Sequence, residues 1–447
     1  MRIINIIILI FLAFSVNSMG SPVGGTVLVA NDTTDSEKLD QNFKNKYTLA
    51  ESYINSQSFS EATVLLKQLD SIMPSNSNVN YKLGICYFNM NTDKKDAISC
   101  FEKAVLNITD DYKSNYLETD APALSLYYLA KSYHNEYMFE DAKKTFEKYK
   151  GYLSPGDTKE TKETDYYISM CENGSKLMKT SLNPQIDILS AEINTSNSDH
   201  PLFASNDNSI LIYSTYDKTV NEKNNDNTTY YLSSLEGQKW SSPVKIDNDF
   251  NVIASENSSK LSLRKKEFFI TKSVNGNKEL YSIAYKDGKW TDPVKLGPSV
   301  NTKAVETNAS ISPDGSTLYF SSNRDGGYGG YDIYACERLS DGSWSKPANL
   351  GSQVNTPNDE QSPYISIDAA TLYFSSQGHN TMGGYDIFFS TLSDEGIWPE
   401  AENIGYPINT PQDDLFYIPS SDETKAFYTS SKDGGQGNED IYIILFN

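Results

Sequence analysis

The 447-residue sequence predicts an α + β multidomain protein in which an α-helical solenoid precedes a five-bladed β-propeller of four-stranded antiparallel blades. Two observations predict this fold. A helical pattern with a 34-residue period follows the N-terminal segment, and a strand-rich pattern with a period near 54 residues covers the rest. Hydrophobic residues make up 38% of the chain, which is enough to form packed cores.

The charge of the chain limits its partners. The sequence has 59 acidic and 38 basic residues, a net charge of −21 and a pI near 4.6. Nucleic acids and anionic membrane surfaces are bound mainly through lysine and arginine. We therefore expect no nucleic-acid partner.

The N-terminus has the pattern of a secretory signal peptide. One basic residue, Arg2, precedes the apolar run Ile3–Val16, and small residues follow around Ser18. We predict a signal peptide at residues 1–20 and a flexible leader at 21–42. No later stretch is apolar and long enough to span a bilayer, so we expect an exported chain without a transmembrane segment after cleavage.

A helical repeat predicts a solenoid domain with a capping helix over residues 43–181. Each copy has a leucine and a small residue, a tyrosine three places later, and an alanine followed four places on by an apolar residue. The three copies contain Leu49-Ala50, Tyr53, Ala62 and Leu66; Leu83-Gly84, Tyr87, Ala97 and Phe101; and Leu129-Ala130, Tyr133, Ala142 and Phe146. The 34-residue period and the small residues are typical of tetratricopeptide repeats.

Two departures from the repeat have structural consequences. Tyr87 and Tyr133 lie 46 residues apart, which predicts an insertion of about a dozen residues near Asn107–Ala121. The amphipathic stretch Lys159–Lys179 is expected to form a helix that caps the open end of the array.

A longer repeat predicts the propeller over residues 184–447. All four tryptophans fall there at intervals of 50 or 54 residues, and we expect them to be packing residues: Trp240, Trp290, Trp344 and Trp398. Four copies of an apolar-Asn-Thr motif contain Asn194, Asn301, Asn355 and Asn409. The segment spans about five periods of four short strands each, which predicts five blades.

The third unit shows how a blade is divided into strands A to D. The strands are predicted at 309–312, at 317–321, at 331–337 and from Trp344 onwards. Because successive strands run in opposite directions, the D–A and B–C loops lie on one face, which we call the motif face. The fifth unit ends before a strand D, and strand 185–190 has the spacing of one, so we predict that it closes the last blade.

The repeats resemble a known family. The segments SPDGSTLYFSSNRDGGYGGYDIY and VNTPNDEQSPYISIDAATLYFSSQGHNTMGGYDIF resemble WD40-like, TolB-type propeller repeats. Combined with tetratricopeptide repeats, they resemble the PorE-type envelope family of type IX-secreting bacteria. Members of that family typically continue into an OmpA-like peptidoglycan-binding domain, which we expect this chain to lack. The resemblance implies a non-enzymatic scaffold in the periplasm or at the outer membrane.

The expected function is therefore to mediate protein–protein interactions in the bacterial envelope, through the tetratricopeptide groove and the motif face. No catalytic cluster accompanies the three histidines, His134, His200 and His379. We expect no enzymatic activity and no cofactor. One alternative is a propeller that binds glycans or peptidoglycan fragments on exposed tyrosines, and another is a propeller hydrolase or lyase.

Three repeated aspartates begin strand C, and we expect them to hold the glycine-rich B–C loops through backbone N–H groups: Asp332, Asp386 and Asp440. The alternative is a Ca²⁺ site formed by Asp325 with Asp332, or by Asp433 with Asp440.

A carboxylate follows each repeated asparagine by five residues, also in the second unit after Asn251. We expect these five acids to ring the channel mouth on the motif face: Asp199, Glu256, Glu306, Glu360 and Asp414. Two interpretations remain open. The carboxylates accept backbone N–H bonds and fix the blades, or they capture a divalent cation or a basic segment of a partner.

Four cysteines occur in the chain: Cys86, Cys100, Cys171 and Cys336. We expect buried free thiols, with a Cys86–Cys100 disulfide as the alternative.

Overall fold

The computed structural model describes residues 35–446, except for 91–93, 206–207, 218–227, 238, 247–266, 275 and 288. The predicted signal peptide, residues 1–20, therefore lies outside the described residues. The chain forms two compact units, Met1–Tyr128 and Leu129–Asn447. This boundary differs from the expected junction near residues 181–184, because the last helices before the propeller donate hydrogen bonds to its loops.

The described helices of the first unit are α1 (Asp35–Asn55), α2 (Phe59–Ile72), α3 (Ser77–Met90) and α4 (Lys94–Ala104). Because α1 begins at Asp35, the prediction of a flexible leader as far as residue 42 is wrong for residues 35–42. Phe43 and Tyr47 are buried on this helix. The eight residues before Phe43 contain no proline or glycine, so nothing in them ends the helix.

Small residues allow the paired helices to approach closely. Ala50, Ala62 and Ala97 are buried, as the repeat predicts. Gly84 on α3 faces the ring of Phe101 on α4, and a Cβ atom at Gly84 would lie 2.6 Å from that ring. Phe101 is itself fully buried, so this contact fixes the distance between the two helices.

The predicted insertion forms a closed loop of residues 107–121, which we call the strap. Strand β1 (Ile108–Thr109) pairs in parallel with β2 (Ala121–Pro122). The N–H of Ala121 also donates to the carbonyl of Asn107 at 2.9 Å. The two ends of the strap are therefore adjacent, as in an Ω-loop.

Three further helices precede the propeller: α5 (Leu124–Asn135), which spans the boundary between the units, α6 (Phe139–Lys150) and α7 (Thr158–Leu177). A short 3₁₀ helix follows at Met178–Thr180. Helix α7 corresponds to the expected capping helix. Its Tyr167 stacks on Phe146 of α6 with ring centroids 5.2 Å apart.

The described strands of the propeller form five sheets, one for each predicted blade. Blade 1 contains β4 (Ser198–Ala204), β5 (Ile210–Tyr216), β6 (Thr228–Glu236), β7 (Lys239–Trp240) and β8 (Val244–Ile246). Blade 2 contains β9 (Glu267–Val274), β10 (Asn277–Lys286), β11 (Lys289–Trp290) and β12 (Val294–Lys295). By sequence register β9 and β10 are its strands B and C, so the position of its strand A falls in 247–266, outside the described residues.

The remaining three blades follow the predicted A–B–C–D order. Blade 3 contains β13 (Glu306–Ile311), β14 (Thr317–Ser322), β15 (Asp332–Glu337) and β16 (Ala348–Asn349). Blade 4 contains β17 (Glu360–Ile365), β18 (Thr371–Ser376), β19 (Asp386–Thr391) and β20 (Glu402–Asn403). Blade 5 contains β21 (Asp414–Pro419), β22 (Lys425–Ser430), β23 (Asp440–Leu445) and, from the start of the propeller, β3 (Gln185–Ile188).

The last blade is completed by the first strand of the propeller. Strand β3 pairs antiparallel with β23, with Ile188 opposite Tyr442 and Gln185 opposite Leu445. The outer edge of β23 is therefore paired by the other end of the propeller sequence.

The apolar core of the propeller lies between neighbouring blades. Trp344 of blade 3 is buried in a cluster with Phe269 of blade 2. Trp398 of blade 4 contacts Tyr319 of blade 3 edge-on, with ring centroids 6.1 Å apart. Trp240 of blade 1 packs in the same way on Phe427 of blade 5, at 5.9 Å. The side chain of Trp290 lies outside the described part of the chain.

All four cysteines are free and buried, so the Cys86–Cys100 disulfide does not form. Burial raises the pKa of the Cys86 thiol to about 11, and those of Cys100, Cys171 and Cys336 to about 12. The thiols are therefore protonated at neutral pH and poorly nucleophilic.

Replacing Gly84 with alanine should destabilise the first unit. The new methyl group overlaps the buried Phe101 ring, and overpacking of this kind costs about 1–3 kcal/mol. We expect the helical signal in far-ultraviolet circular dichroism to melt at a lower temperature.

The matched control is Gly156→Ala, because a Cβ atom there meets nothing within 4 Å. All four tryptophans lie in the propeller, so their fluorescence should report an unchanged transition in both variants. An unchanged helical transition in Gly84→Ala would contradict the packing argument.

Candidate functional site: the motif face of the propeller

The described repeated asparagines each join a blade to the preceding one. Asn409 accepts a hydrogen bond from the N–H of Ile387 at 2.8 Å and donates to the carbonyl of the same residue at 2.9 Å. It is fully buried and donates again to Asn403 of the neighbouring strand D. A side-chain amide here pairs with strand C as a residue of a β-ladder would.

The same two-way pairing occurs at four junctions. The asparagine and its strand C partner are Asn194 with Ile441, Asn301 with Leu280, Asn355 with Ile333 and Asn409 with Ile387. The sequence repeat showed these asparagines, but nothing in it showed that their partner lies in the previous blade.

The four described carboxylates of the predicted ring are fully buried, and their place at the channel mouth stays a prediction. Asp199, Glu306, Glu360 and Asp414 each have 0% of their surface exposed, and Glu256 lies outside the described residues. Glu360 accepts bonds from the backbone N–H and hydroxyl of Thr356, at 2.8 and 2.6 Å, and from the Ser376 hydroxyl at 2.7 Å. These donors lie within the blade and draw the carboxylate inward.

The other described carboxylates have equivalent donors. Each accepts the N–H of the threonine four residues earlier: Thr195 for Asp199, Thr302 for Glu306 and Thr410 for Asp414. Glu306 also pairs with Arg324 at 3.3 Å. The carboxylates thus accept hydrogen bonds within their blades, as the first of the two interpretations expects. Capture of a cation or a basic partner segment stays a prediction.

Burial changes the protonation of these acids. It raises the pKa of Glu360 to about 8, and it also raises the pKa values of Asp199 and Asp414. The hydrogen bonds from threonine and serine oppose this rise because they favour the charged form.

The B–C loops are held by the aspartates at the start of strand C. Asp332 accepts the N–H groups of Tyr328 and Gly329 at 2.6 and 3.0 Å. Asp386 accepts the N–H of Met382 at 2.9 Å, and Asp440 accepts that of Gln436 at 3.0 Å. These bonds close each loop on its own strand.

Glycines in the same loops permit contact with the next blade. A Cβ atom at Gly329 would lie 1.9 Å from the carbonyl oxygen of Asn358, and one at Gly383 would lie 2.1 Å from that of Thr410. These glycines are therefore required for close approach between the B–C loop of one blade and the D–A loop of the next.

The suggested calcium ligands differ in exposure, and calcium binding by them stays a prediction. Asp325 and Asp433 are exposed, whereas Asp332 and Asp440 are buried within their loops. Among the residues that the structure describes, no three histidine, cysteine, aspartate or glutamate side chains converge as they would around a metal ion.

Helices α5 and α7 cover the B–C loop of blade 4. Nε2 of His134 donates to the carbonyl of Met382 at 3.0 Å, and Nδ2 of Asn173 donates to that of Thr381 at 3.0 Å. The Tyr166 hydroxyl donates to the carbonyl of Gln377 in the same loop. Burial lowers the pKa of His134 to about 4, so its ring is neutral. Because the Met382 carbonyl can only accept, the ring proton lies on Nε2.

The corresponding loop of blade 3 presents an aromatic side chain. Tyr328 is 52% exposed within the run Gly326–Gly330. Because Asp332 holds the Tyr328 backbone, its ring projects from a fixed loop. The sequence indicated a glycine-rich loop here and did not show that helices cover its counterpart in blade 4.

His200 lies at the junction of blades 1 and 5. Its Nε2 lies 2.9 Å from a carboxylate oxygen of Glu439, and its ring stacks on Phe416 with centroids 4.6 Å apart. The third histidine, His379, contacts the carbonyl of Val354. All three histidines therefore have defined partners within the second unit.

Comparisons with known proteins agree with the two architectures. Residues 79–107 match the family described as tetratricopeptide repeat. No curated protein matches the chain at a significant level. Together with the five sheets, the match confirms the predicted fold class, a tetratricopeptide solenoid followed by a five-bladed propeller.

Several solved structures are similar to the propeller at low identity. TolB from Acinetobacter baumannii shares 14% identity with a TM-score of 0.31, over 56% of this chain and 54% of TolB. The α-L-arabinofuranosidase from Lactobacillus brevis shares 13% with a TM-score of 0.37, over 58% and 92%. The xylan β-1,4-xylosidase from Bacillus halodurans C-125 shares 13% with a TM-score of 0.34, over 57% and 54%. The chain thus spans about half the length of TolB, and these scores are too low for a functional comparison.

No helix in the described ranges of the chain has both the length and the apolar character needed to cross a bilayer.

Replacing Asn409 with alanine should weaken the junction between blades 4 and 5. The buried N–H of Ile387 loses its acceptor, which costs about 1–3 kcal/mol. We expect the tryptophan fluorescence transition to shift to lower denaturant concentration. Asn438→Ala, which truncates an exposed asparagine in blade 5, is the control. Equal stability of the two variants would be inconsistent with the junction role.

The stability supplied by Glu360 should depend on pH. Its pKa is about 8 in the folded protein, against an ordinary value of 4.5, so folding is accompanied by proton uptake between these values. Relative to Glu360→Gln, the native protein should therefore lose about 1.4 kcal/mol of unfolding free energy per pH unit as pH rises from about 5 to 8.

The measurement is denaturant unfolding, followed by tryptophan fluorescence at several pH values. Glu402→Gln, which changes an exposed glutamate of the same blade, should keep the pH dependence of the native protein. A stability difference between native protein and Glu360→Gln that does not vary with pH would refute the raised pKa.

Proposed function

We propose that this protein is an exported, non-enzymatic scaffold that mediates protein–protein interactions in the bacterial envelope, in the periplasm or at the outer membrane. It uses the tetratricopeptide hairpins and the motif face of the propeller, and it needs no cofactor.

The observation that carries this proposal is the contact between the helices and blade 4. His134, Tyr166 and Asn173 each donate to a backbone carbonyl of one B–C loop. The motif face is therefore recognised by polypeptide within the chain itself. A loop of the same construction in blade 3 presents Tyr328, and aromatic residues of this kind are enriched at protein interfaces.

The internal use of the repeated side chains also supports a scaffold. The junction asparagines, the buried carboxylates and the loop aspartates all hold blades or loops in place. Such residues build a rigid platform, and rigid platforms bind with a smaller entropic cost.

Export is supported by the apolar N-terminal segment and by the resemblance to an envelope family. Fractionation of cells followed by protease treatment of intact cells tests this part of the proposal. Recovery of the mature chain in the cytoplasm would overturn it.

Partner binding should depend on Tyr328. Affinity capture from crosslinked envelope fractions should recover a defined partner with the native chain, and Tyr328→Ala should reduce the recovered amount by about tenfold, as hot-spot aromatic residues do. Leu339→Ala is the control, since Leu339 is 46% exposed at the C–D turn on the opposite face. Equal recovery with both variants would show that Tyr328 is not part of the interface. Recovery of the monomer alone would contradict the scaffold proposal.

The exposed Tyr328 ring also suits a second function, because aromatic faces stack on sugars. Titration with peptidoglycan fragments and other glycans tests this alternative. Saturable binding that Tyr328→Ala removes, without a protein partner, would favour the glycan-binding function. Turnover of such a glycan by the purified protein would instead favour a hydrolase or lyase.

A further inference from the structure

The strap of residues 107–121 lies against the first helices of two successive hairpins. It contacts Glu51 on α1, and Asn78 and Lys82 on α3, directly, and it reaches Tyr47 on α1 through Asn78. These α1 and α3 residues form what we call the strap groove. Repeated helical hairpins characteristically present extended binding surfaces of this kind.

Asn78 holds the backbone of the strap. Its Nδ2 donates to the carbonyls of Asn115 and Glu118, both at 3.2 Å, and its backbone N–H donates to the carbonyl of Thr119 at 3.1 Å. That N–H belongs to the first turn of α3, where helix amides have no partner within the helix. Three carbonyls of the strap are therefore bound without regard to side-chain identity.

Two side chains of the strap add specificity. The hydroxyl of Tyr112 donates to Oδ1 of Asn78 at 2.5 Å. The hydroxyl of Ser114 donates to Glu51 at 3.1 Å and accepts from Lys82 at 3.3 Å, while Lys82 and Glu51 pair at 2.8 Å. The groove thus recognises a phenol and, two residues later, a hydroxyl.

Burial differs sharply between the groove and its occupant. Tyr47, Asn78 and Lys82 are buried, at 1%, 0% and 8% exposure. By contrast, every residue from Asn107 to Asp120 is half-buried or exposed, and Leu117 is 69% exposed. Segments with few buried apolar contacts open at low free-energy cost, whereas the polar residues beneath need a partner whenever the segment leaves.

We propose that the strap is an internal ligand of a peptide-binding groove, and that an extended partner segment with a tyrosine followed two residues later by a serine or threonine displaces it. This inference rests on the proposed scaffold function, and it adds the chemistry of the partner and the control of access. An attached ligand has an effective concentration in the millimolar range, so the strap keeps weak peptides out and admits only a tighter or locally concentrated partner.

The probe is a fluorescent synthetic peptide with the sequence of residues 107–121, titrated into the full chain and followed by anisotropy. In the strap-less variant, two glycines replace residues 111–118, which the adjacent strap ends allow. We expect this variant to bind the peptide at least about tenfold more tightly than the intact chain, because the internal competitor is gone.

Substitutions on α3 locate the binding. In the strap-less chain, Asn78→Ala should weaken peptide binding by at least about tenfold, since it removes contacts to two carbonyls and a phenol. Asn89→Ala on the same helix should have no effect, because its side chain is exposed and donates to the carbonyl of Ile85 in its own helix. Equal peptide affinity of the intact and strap-less chains, both folded by circular dichroism, would overturn the proposal.

If the strap-less variant does not fold, the test is peptide binding by the otherwise intact chain that carries Tyr112→Ala. This substitution loosens the strap and should increase peptide binding, and unchanged binding overturns the proposal. Envelope capture separates this inference from the scaffold function. If the native and Asn78→Ala chains recover a partner equally, the scaffold function is supported and the peptide-binding groove is contradicted. If the peptide binds but no envelope partner is recovered, the scaffold function is contradicted.

Discussion

The propeller depends on one repeated interaction, the pairing of a buried asparagine amide with both backbone groups of a strand C residue in the preceding blade. Neighbouring blades share apolar clusters, but apolar contact alone does not set their relative register. The amide does, because it satisfies one N–H and one carbonyl at fixed positions. At the junction of blades 5 and 1 the same interaction joins Asn194 to Ile441, and thereby links the two ends of the propeller.

The regularly repeated carboxylates of the propeller are internal residues. The described repeat carboxylates lie inside their blades, where threonine and serine groups bind them. A buried carboxylate is costly unless donors surround it, and in the four blades whose carboxylate is described, strand B and the D–A loop supply donors. The exposed side chains of this face are therefore loop residues such as Tyr328, rather than the most regularly repeated ones.

Helix side chains bind a loop of the same unit at two places in the chain. In the second unit, side chains of α5 and α7 bind carbonyls of a propeller loop. In the first unit, side chains of α3 bind carbonyls of the strap. Both contacts use polar side chains to hold backbone. Such contacts tolerate changes in the sequence that is held, which suits surfaces that recognise polypeptide segments.

The amino-acid sequence alone predicts the helical hairpins, the number of blades, the order of strands and the closure of the last blade by β3. These features follow from periodicity and from turn chemistry, which act over short distances along the chain. It also placed the insertion at 107–121 and the aspartates that hold the B–C loops. The burial and the contacts of the repeated residues emerge only in the folded protein, because the partner of Asn409 lies in another blade and the Ser376 hydroxyl that binds Glu360 lies on another strand. The burial of the carboxylates and the position of the strap against α1 and α3 depend on contacts between distant segments, and no local pattern encodes them.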